Sequence, residues 1–174
     1  LLLVDASQSA GVLPIDVAAV PIDLCAFTGH KAMLGPMGTG GLVVRAGVDV
    51  AAWREGGTGG DSSSPVQPTS YPHFLEGGTP NAVGLAGLGA GVRWVLERGP
   101  ETIGAHERAL ASRLARALAE IPRVRIVAAP EADALSKGAG GWVRSDIGLV
   151  AFAVEGFDPA EVAAILDESF GIAV

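Results

Sequence analysis

Two short apolar runs, each cut off by a polar or glycine-bearing turn, restrict this chain more than any other feature. Leu1 to Val4 is closed by Asp5-Ala6-Ser7-Gln8-Ser9, and Pro21 to Phe27, broken only by Asp23, is closed by Thr28-Gly29-His30-Lys31. Runs of this kind fit strands buried on both faces, as in a parallel sheet; a strand with one wet face alternates instead. About sixteen residues separate the two runs, enough for the crossover that a parallel pair requires. Gly41 to Arg45 reads as a third strand. The Gly35 to Gly40 link into it is too rich in glycine for a helix, so an antiparallel return is expected.

The rest of the chain changes character twice. Gly56 to Gly78 is rich in Gly, Ser, Pro and Thr, and a loop that long within a compact domain usually carries function or moves. Asn81 to Arg98 then reads as a helix with Val83, Leu85, Leu88, Val92, Val95 and Leu96 on its apolar face. Glu101 to Glu120 is a clearer amphipathic helix with Arg108, Arg113 and Arg116 outward, stopped by Pro122. Arg123 to Ala128 and Gly148 to Val154 alternate like half-buried strands. Asp158-Pro159 opens a further helix as N-cap and first-turn proline, and Phe170 to Val174 is expected to start a last strand. Residues 1–98 therefore form part of an α/β sheet domain, and residues 99–174 a small α+β domain in αββαβ order.

Composition excludes several classes. Apolar residues at 49% rule out a disordered tail. A formal charge of −7 argues against nucleic acid, whose phosphates need a basic stripe. No apolar run reaches the roughly 18 residues of a membrane span. One cysteine makes no internal disulfide, which fits a reducing, cytoplasmic compartment. Both ends lie inside apolar runs, which predicts a piece of a longer protein.

The chemistry gathers where the first two strands end. Ligands of open α/β sheets bind outside the carboxyl ends of the strands. There the chain delivers a carboxylate (Asp5), an amide (Gln8), a hydroxyl (Thr28), an imidazole (His30) and an amine (Lys31). A lysine on a glycine-bearing turn is suited to a carbonyl cofactor, and a facing aspartate keeps a pyridinium nitrogen protonated. Those are the two requirements of pyridoxal phosphate chemistry: a Schiff-base lysine and an acidic partner for the ring.

At these residues the chain resembles the class V aminotransferase family, the cysteine desulfurase-like branch of fold-type I pyridoxal phosphate enzymes. The resemblance is carried by Val4-Asp5-Ala6-Ser7-Gln8-Ser9-Ala10-Gly11, Ala26-Phe27-Thr28-Gly29-His30-Lys31 and Gly35-Pro36-Met37-Gly38-Thr39-Gly40. Gly56-Gly57-Thr58-Gly59 and Glu76-Gly77-Gly78-Thr79-Pro80-Asn81 continue it in the family's order. It implies the second part of a large, mostly parallel sheet domain followed by a small, truncated C-terminal domain. It further implies that Lys31 binds pyridoxal 5'-phosphate covalently, Asp5 pairs with the ring nitrogen and Gln8 bonds the ring hydroxyl oxygen. Thr28, where many relatives have Ser, and His30 hold the phosphate. Thr79 reaches the phosphate in the partner subunit of a homodimer.

The implied reaction releases sulfur from L-cysteine to give alanine, with a sulfur-acceptor protein as a further partner. Selenocysteine lyase, an isopenicillin N epimerase-like racemase, a true aminotransferase and a non-catalytic scaffold are the alternatives. In the family, the substrate-carboxylate arginine and the sulfur-accepting cysteine follow the segment matching Gly171 to Val174. Cys25 does not replace that cysteine: mid-strand between Leu24 and Ala26, it reads as a small buried hydrophobe. Thr58 lies in a glycine nest able to bind an anion or in a plain flexible loop. His73 and His106 read as surface residues.

Overall fold

A computed structural model of the chain describes residues 1–57, 61, 63–127 and 147–174. They form two compact units, Leu1–Pro100 and Glu101–Val174. The first holds a three-stranded sheet of β1 (Leu3–Asp5), β2 (Leu24–Thr28) and β3 (Gly40–Val44), in the order β1-β2-β3. β1 pairs parallel with β2, Asp5 opposite Ala26; β2 pairs antiparallel with β3, Thr28 opposite Gly40. Both pairings follow the expectation from the apolar runs and the glycine-rich link.

The crossover between β1 and β2 contains no helix. It is a succession of turns anchored by Val12, which is 1% exposed. Asp23, the charged interruption in the second apolar run, sits on the edge of the unit. It accepts a bond from the Leu2 N–H at 2.7 Å and faces the Arg45 guanidinium at 3.7 Å. These contacts join the strand ends remote from the candidate site.

Alternation along a strand decides which residues meet the core. Cys25, Ala6 and Ile22 are buried together, with Val4, Ala10 and Phe27 packed against them. Val4, Cys25 and Phe27 therefore share one sheet face, and Asp5, Ala26 and Thr28 the other.

Helix α1 (Ala82–Arg98) is capped by Asn81, whose Oδ1 accepts a bond from the Gly84 N–H at 2.9 Å. Its buried residues are Gly84, Leu88, Gly91 and Val95, while Val83, Leu85 and Leu96 are exposed. The expected apolar face is thus rotated. The helix approaches its neighbours through glycines, where backbone can come closest, and only Leu88 and Val95 of the expected face are buried.

The second unit contains α2 (Pro100–Ala119) from its second residue onward, β4 (Val124–Val127), β5 (Ala151–Val154) and α3 (Pro159–Phe170). β4 and β5 pair antiparallel, Val124 opposite Val154. The end of the predicted strand at Ala128 lies outside the described residues. Asp158 and Glu161 form a reciprocal capping box at the start of α3. The strand expected over Phe170 to Val174 is absent. Phe170 ends α3, Gly171 turns left-handed at φ 65°, and the Ile172 N–H closes on the Leu166 carbonyl at 2.9 Å. That closure occupies the backbone donor a strand would use. Among the described residues, no helix is long and apolar enough to cross a membrane.

Candidate active site

Parallel pairing of β1 with β2 brings both strand ends to one edge of the sheet. The Ala6 N–H extends the ladder to the Ala26 carbonyl at 2.7 Å, so the turn after Asp5 starts beside the end of β2. Asp5 Oδ1 accepts a bond from the Ser7 N–H at 2.9 Å. The Ser7 hydroxyl and then its N–H hold the Asp5 carboxyl below the usual carboxylate range; partial desolvation opposes them, and the nearby Lys31 ammonium adds a smaller pull downward. The Lys31 charge is thus felt at Asp5, as the smallest of these influences.

Thr28 shares the sheet face of Asp5. Its Oγ1 is shut off from solvent and has no hydrogen-bond partner. Leaving a buried hydroxyl unpaired costs about 1–3 kcal/mol, so such an atom calls for a partner group.

The turn that bears Lys31 is closed at its base and packed on both sides. The Gly29 N–H donates to the Thr39 carbonyl at 2.8 Å, and the Gly35 N–H returns to the Gly29 carbonyl at 2.7 Å. Within it, Leu34 holds a left-handed φ of 57°, sparsely populated by a branched side chain. A Cβ at Gly11 would lie 2.8 Å from the Ala32 carbonyl oxygen. From α1, Gly91 meets the Met33 and Leu34 backbone, and a Cβ at Gly35 would lie 2.8 Å from Leu88 Cδ1. The many Gly and Ala residues of this helix suit close packing from sequence alone, and the structure places that packing at Gly87, against Pro36, and at Gly91.

Gln8 and His30 lie exposed in the turns after β1 and β2, at the same sheet edge. Thr79 lies in the segment leading into α1. It lines a cleft of about 790 Å³ with Glu55, Gly57, Ser64 and Gln67, and none of Asp5, Gln8, Thr28, His30 or Lys31 borders that cleft. The Gly78 N–H donates to the Gly57 carbonyl at 2.8 Å, which draws the two ends of the long loop together. Thr58 lies outside the described residues. Cys25 is buried on the face opposite Asp5 and Thr28. His106 is exposed, while His73 is half-buried and its carbonyl accepts a bond from Gln67 Nε2 at 2.6 Å. Among the described residues no cluster of His, Cys, Asp or Glu is arranged to hold a metal.

This arrangement can bind a flat, cationic-ring ligand with an aldehyde and an acidic tail: a carboxylate for the ring, an amine for the carbonyl carbon, and a buried hydroxyl for an anion. Comparison with known proteins points the same way. The family described as aminotransferase class-V matches residues 1–174. A Streptomyces coelicolor protein named "Probable cysteine desulfurase" is 37% identical over 180 residues, covering 100% of this chain and 40% of the relative. The apo cysteine desulfurase of Thermococcus onnurineus superposes with a TM-score of 0.75 at 34% identity, over 96% of this chain and 40% of that one. A C-DES mutant with glycine covalently linked to its PLP cofactor superposes at 0.69 and 26% identity, over 93% and 40% of the two chains. The chain thus spans about 40% of the length of the relatives it matches.

Proposed function

Because the chain belongs to the aminotransferase class-V family, we propose that it is part of a pyridoxal 5'-phosphate enzyme that releases sulfur from L-cysteine and leaves alanine. The observation that carries this reading is the parallel pairing of β1 with β2, which brings Asp5 and the turn from Thr28 to Lys31 to one sheet edge. The unpaired Thr28 hydroxyl on the face of Asp5 supplies the fit to a phosphate-bearing cofactor. The relatives named as cysteine desulfurases support the choice of reaction.

When bound, the cofactor supplies an electron-withdrawing ring that stabilises negative charge at the substrate Cα. The residues of this chain do the rest. Lys31 would hold the cofactor through its amine and, with that amine free, would move the Cα proton at Nζ. Asp5 keeps the ring nitrogen protonated; a carboxylate held in its ionised form leaves the shared proton on the nitrogen. Gln8 donates to the ring hydroxyl oxygen from the turn after β1. Thr28 Oγ1 and His30 donate to the phosphate. Thr79, in a cleft that Lys31 does not line, donates to the phosphate of a neighbouring subunit, making the working unit a homodimer with shared sites. The unit Leu1–Pro100 forms the cofactor-binding part and Glu101–Val174 the small domain. A sulfur-acceptor protein takes the product sulfur.

The test uses the full-length protein reconstituted with pyridoxal phosphate. L-cysteine should yield alanine and, with a thiol reductant, sulfide in equal amounts. Conversion of L-cysteine to its keto acid, with no sulfur released, would replace this reading by transamination.

A further inference from the structure

We propose that Gly11 and Gly91 are positioning residues that grip the Lys31 turn from two sides and set the reach of the lysine amine towards Asp5. This inference rests on the reading of Lys31 and Asp5 given under Proposed function. Gly11 lies in the second of two successive turns after Asp5, closed on the Ser9 carbonyl, and against the backbone of Ala32, the residue next to Lys31. A Cβ there would stand 2.8 Å from the Ala32 carbonyl oxygen and 2.9 Å from its carbon. Its φ of +96° adds a second reason for glycine. From α1, a Cβ at Gly91 would overlap the Met33 carbonyl oxygen and lie 2.8 Å from the Leu34 carbonyl carbon.

The obstacles are backbone atoms on both sides, so a side-chain rotation gives no relief. The turn itself must move. Three consecutive residues, Ala32, Met33 and Leu34, are held in this way directly after Lys31, and Leu34 keeps a left-handed φ of 57° within the grip. The Gly11 contact also joins the turns that follow Asp5, the ring's acidic partner, to the turn bearing its amine. A single glycine contact thereby fixes the spacing of the two groups that the cofactor must bridge.

Two other glycines separate this role from general effects of a methyl group. Gly47 shares the positive φ, at +84°, yet a Cβ there meets nothing within 4 Å. Gly89 lies on the same helix as Gly91, and its Cβ would meet only the flexible Arg93 Nη1 at 3.6 Å. Gly47→Ala reports the cost of left-handed backbone alone, and Gly89→Ala the effect of a methyl on α1 alone.

The experiment takes the full-length protein with pyridoxal phosphate and first reduces it with borohydride to locate the label. Gly11→Ala and Gly91→Ala are then compared with Gly47→Ala and Gly89→Ala by far-ultraviolet circular dichroism and by the pH midpoint of the bound cofactor's absorbance. In folded Gly11→Ala and Gly91→Ala the midpoint should move by about half a unit or more, a roughly three-fold change in proton affinity. Turnover should fall by about a hundred-fold, the scale of an ångström of misplacement. Both control variants should keep the parent midpoint. If the label is on Lys31 but the folded variants titrate like their controls, the inference is overturned and the reading of Lys31 stands. A label on another lysine overturns both. Should either glycine variant fail to fold, Leu34→Gly decides: it adds no atoms at an exposed position and frees the left-handed backbone that Gly91 meets. An unchanged midpoint in Leu34→Gly would then contradict the grip, and a shifted one support it.

Discussion

Replacing Cys25 by serine separates burial from sulfur chemistry at the chain's single thiol. Cys25 is 5% exposed, beside Ala6 at 0% and Ile22 at 7%. Its other neighbours, Val4, Ala10 and Phe27, offer no side-chain acceptor. A serine hydroxyl at this place is left unpaired in an apolar cluster, at a cost of about 1–3 kcal/mol. Alanine loses only the buried sulfur, worth roughly 1 kcal/mol by analogy with a buried methylene. The order of stability should therefore be cysteine, alanine, serine, with the last step on the order of 1 kcal/mol. Denaturant midpoints of the full-length variants at constant slope measure it. The same variants should still release sulfide from L-cysteine, because Cys25 faces away from the sheet side that carries Asp5 and Thr28. Serine proving as stable as cysteine would refute the burial argument. Lost sulfur release in a folded, cofactor-loaded variant would refute the assignment of faces.

Asp5→Asn should retain cofactor binding while slowing Cα–H cleavage by orders of magnitude, as seen by loss of deuterium exchange at the substrate Cα; parent-like exchange would show that Asp5 does not face the ring. Mixing full-length Lys31→Ala with Thr79→Ala and allowing subunit exchange should restore part of the activity, since one site of each heterodimer then carries neither lesion. Exchange confirmed by mass with no returning activity would exclude a shared site. Asp158→Ala should cost about 1 kcal/mol of stability through loss of the α3 cap, read from a denaturation midpoint; no change would mean that the capping box contributes nothing in the folded protein.

The strands and their direction were legible because their signal is local: an apolar run, then a polar stop. Asp5 and the Thr28 to Lys31 turn follow directly, since a parallel pair must bring both strand ends to one edge. The buried face of α1 was not legible by the same means. Hydrophobic periodicity counts glycine as a blank, whereas Gly87 and Gly91 form the contacts with Pro36 and the Met33–Leu34 backbone, and Leu85 and Leu96 are left outside. Phe170 to Val174 was misread for a related reason. β-propensity was counted, but the left-handed turn at Gly171 and its backbone closure depend on the helix before it. The left-handed φ of Leu34 and the sealed Thr28 hydroxyl leave no mark in composition or spacing. Both arise from how the neighbouring turn and strand pack.

Peptide mapping of the borohydride-reduced, full-length protein addresses the central claim most directly. With pyridoxal phosphate bound, reduction should fix one cofactor mass per subunit on the peptide containing Lys31, and Lys31→Ala should abolish that label while remaining folded. A label on any other lysine, or none in a folded protein saturated with the cofactor, would contradict the account.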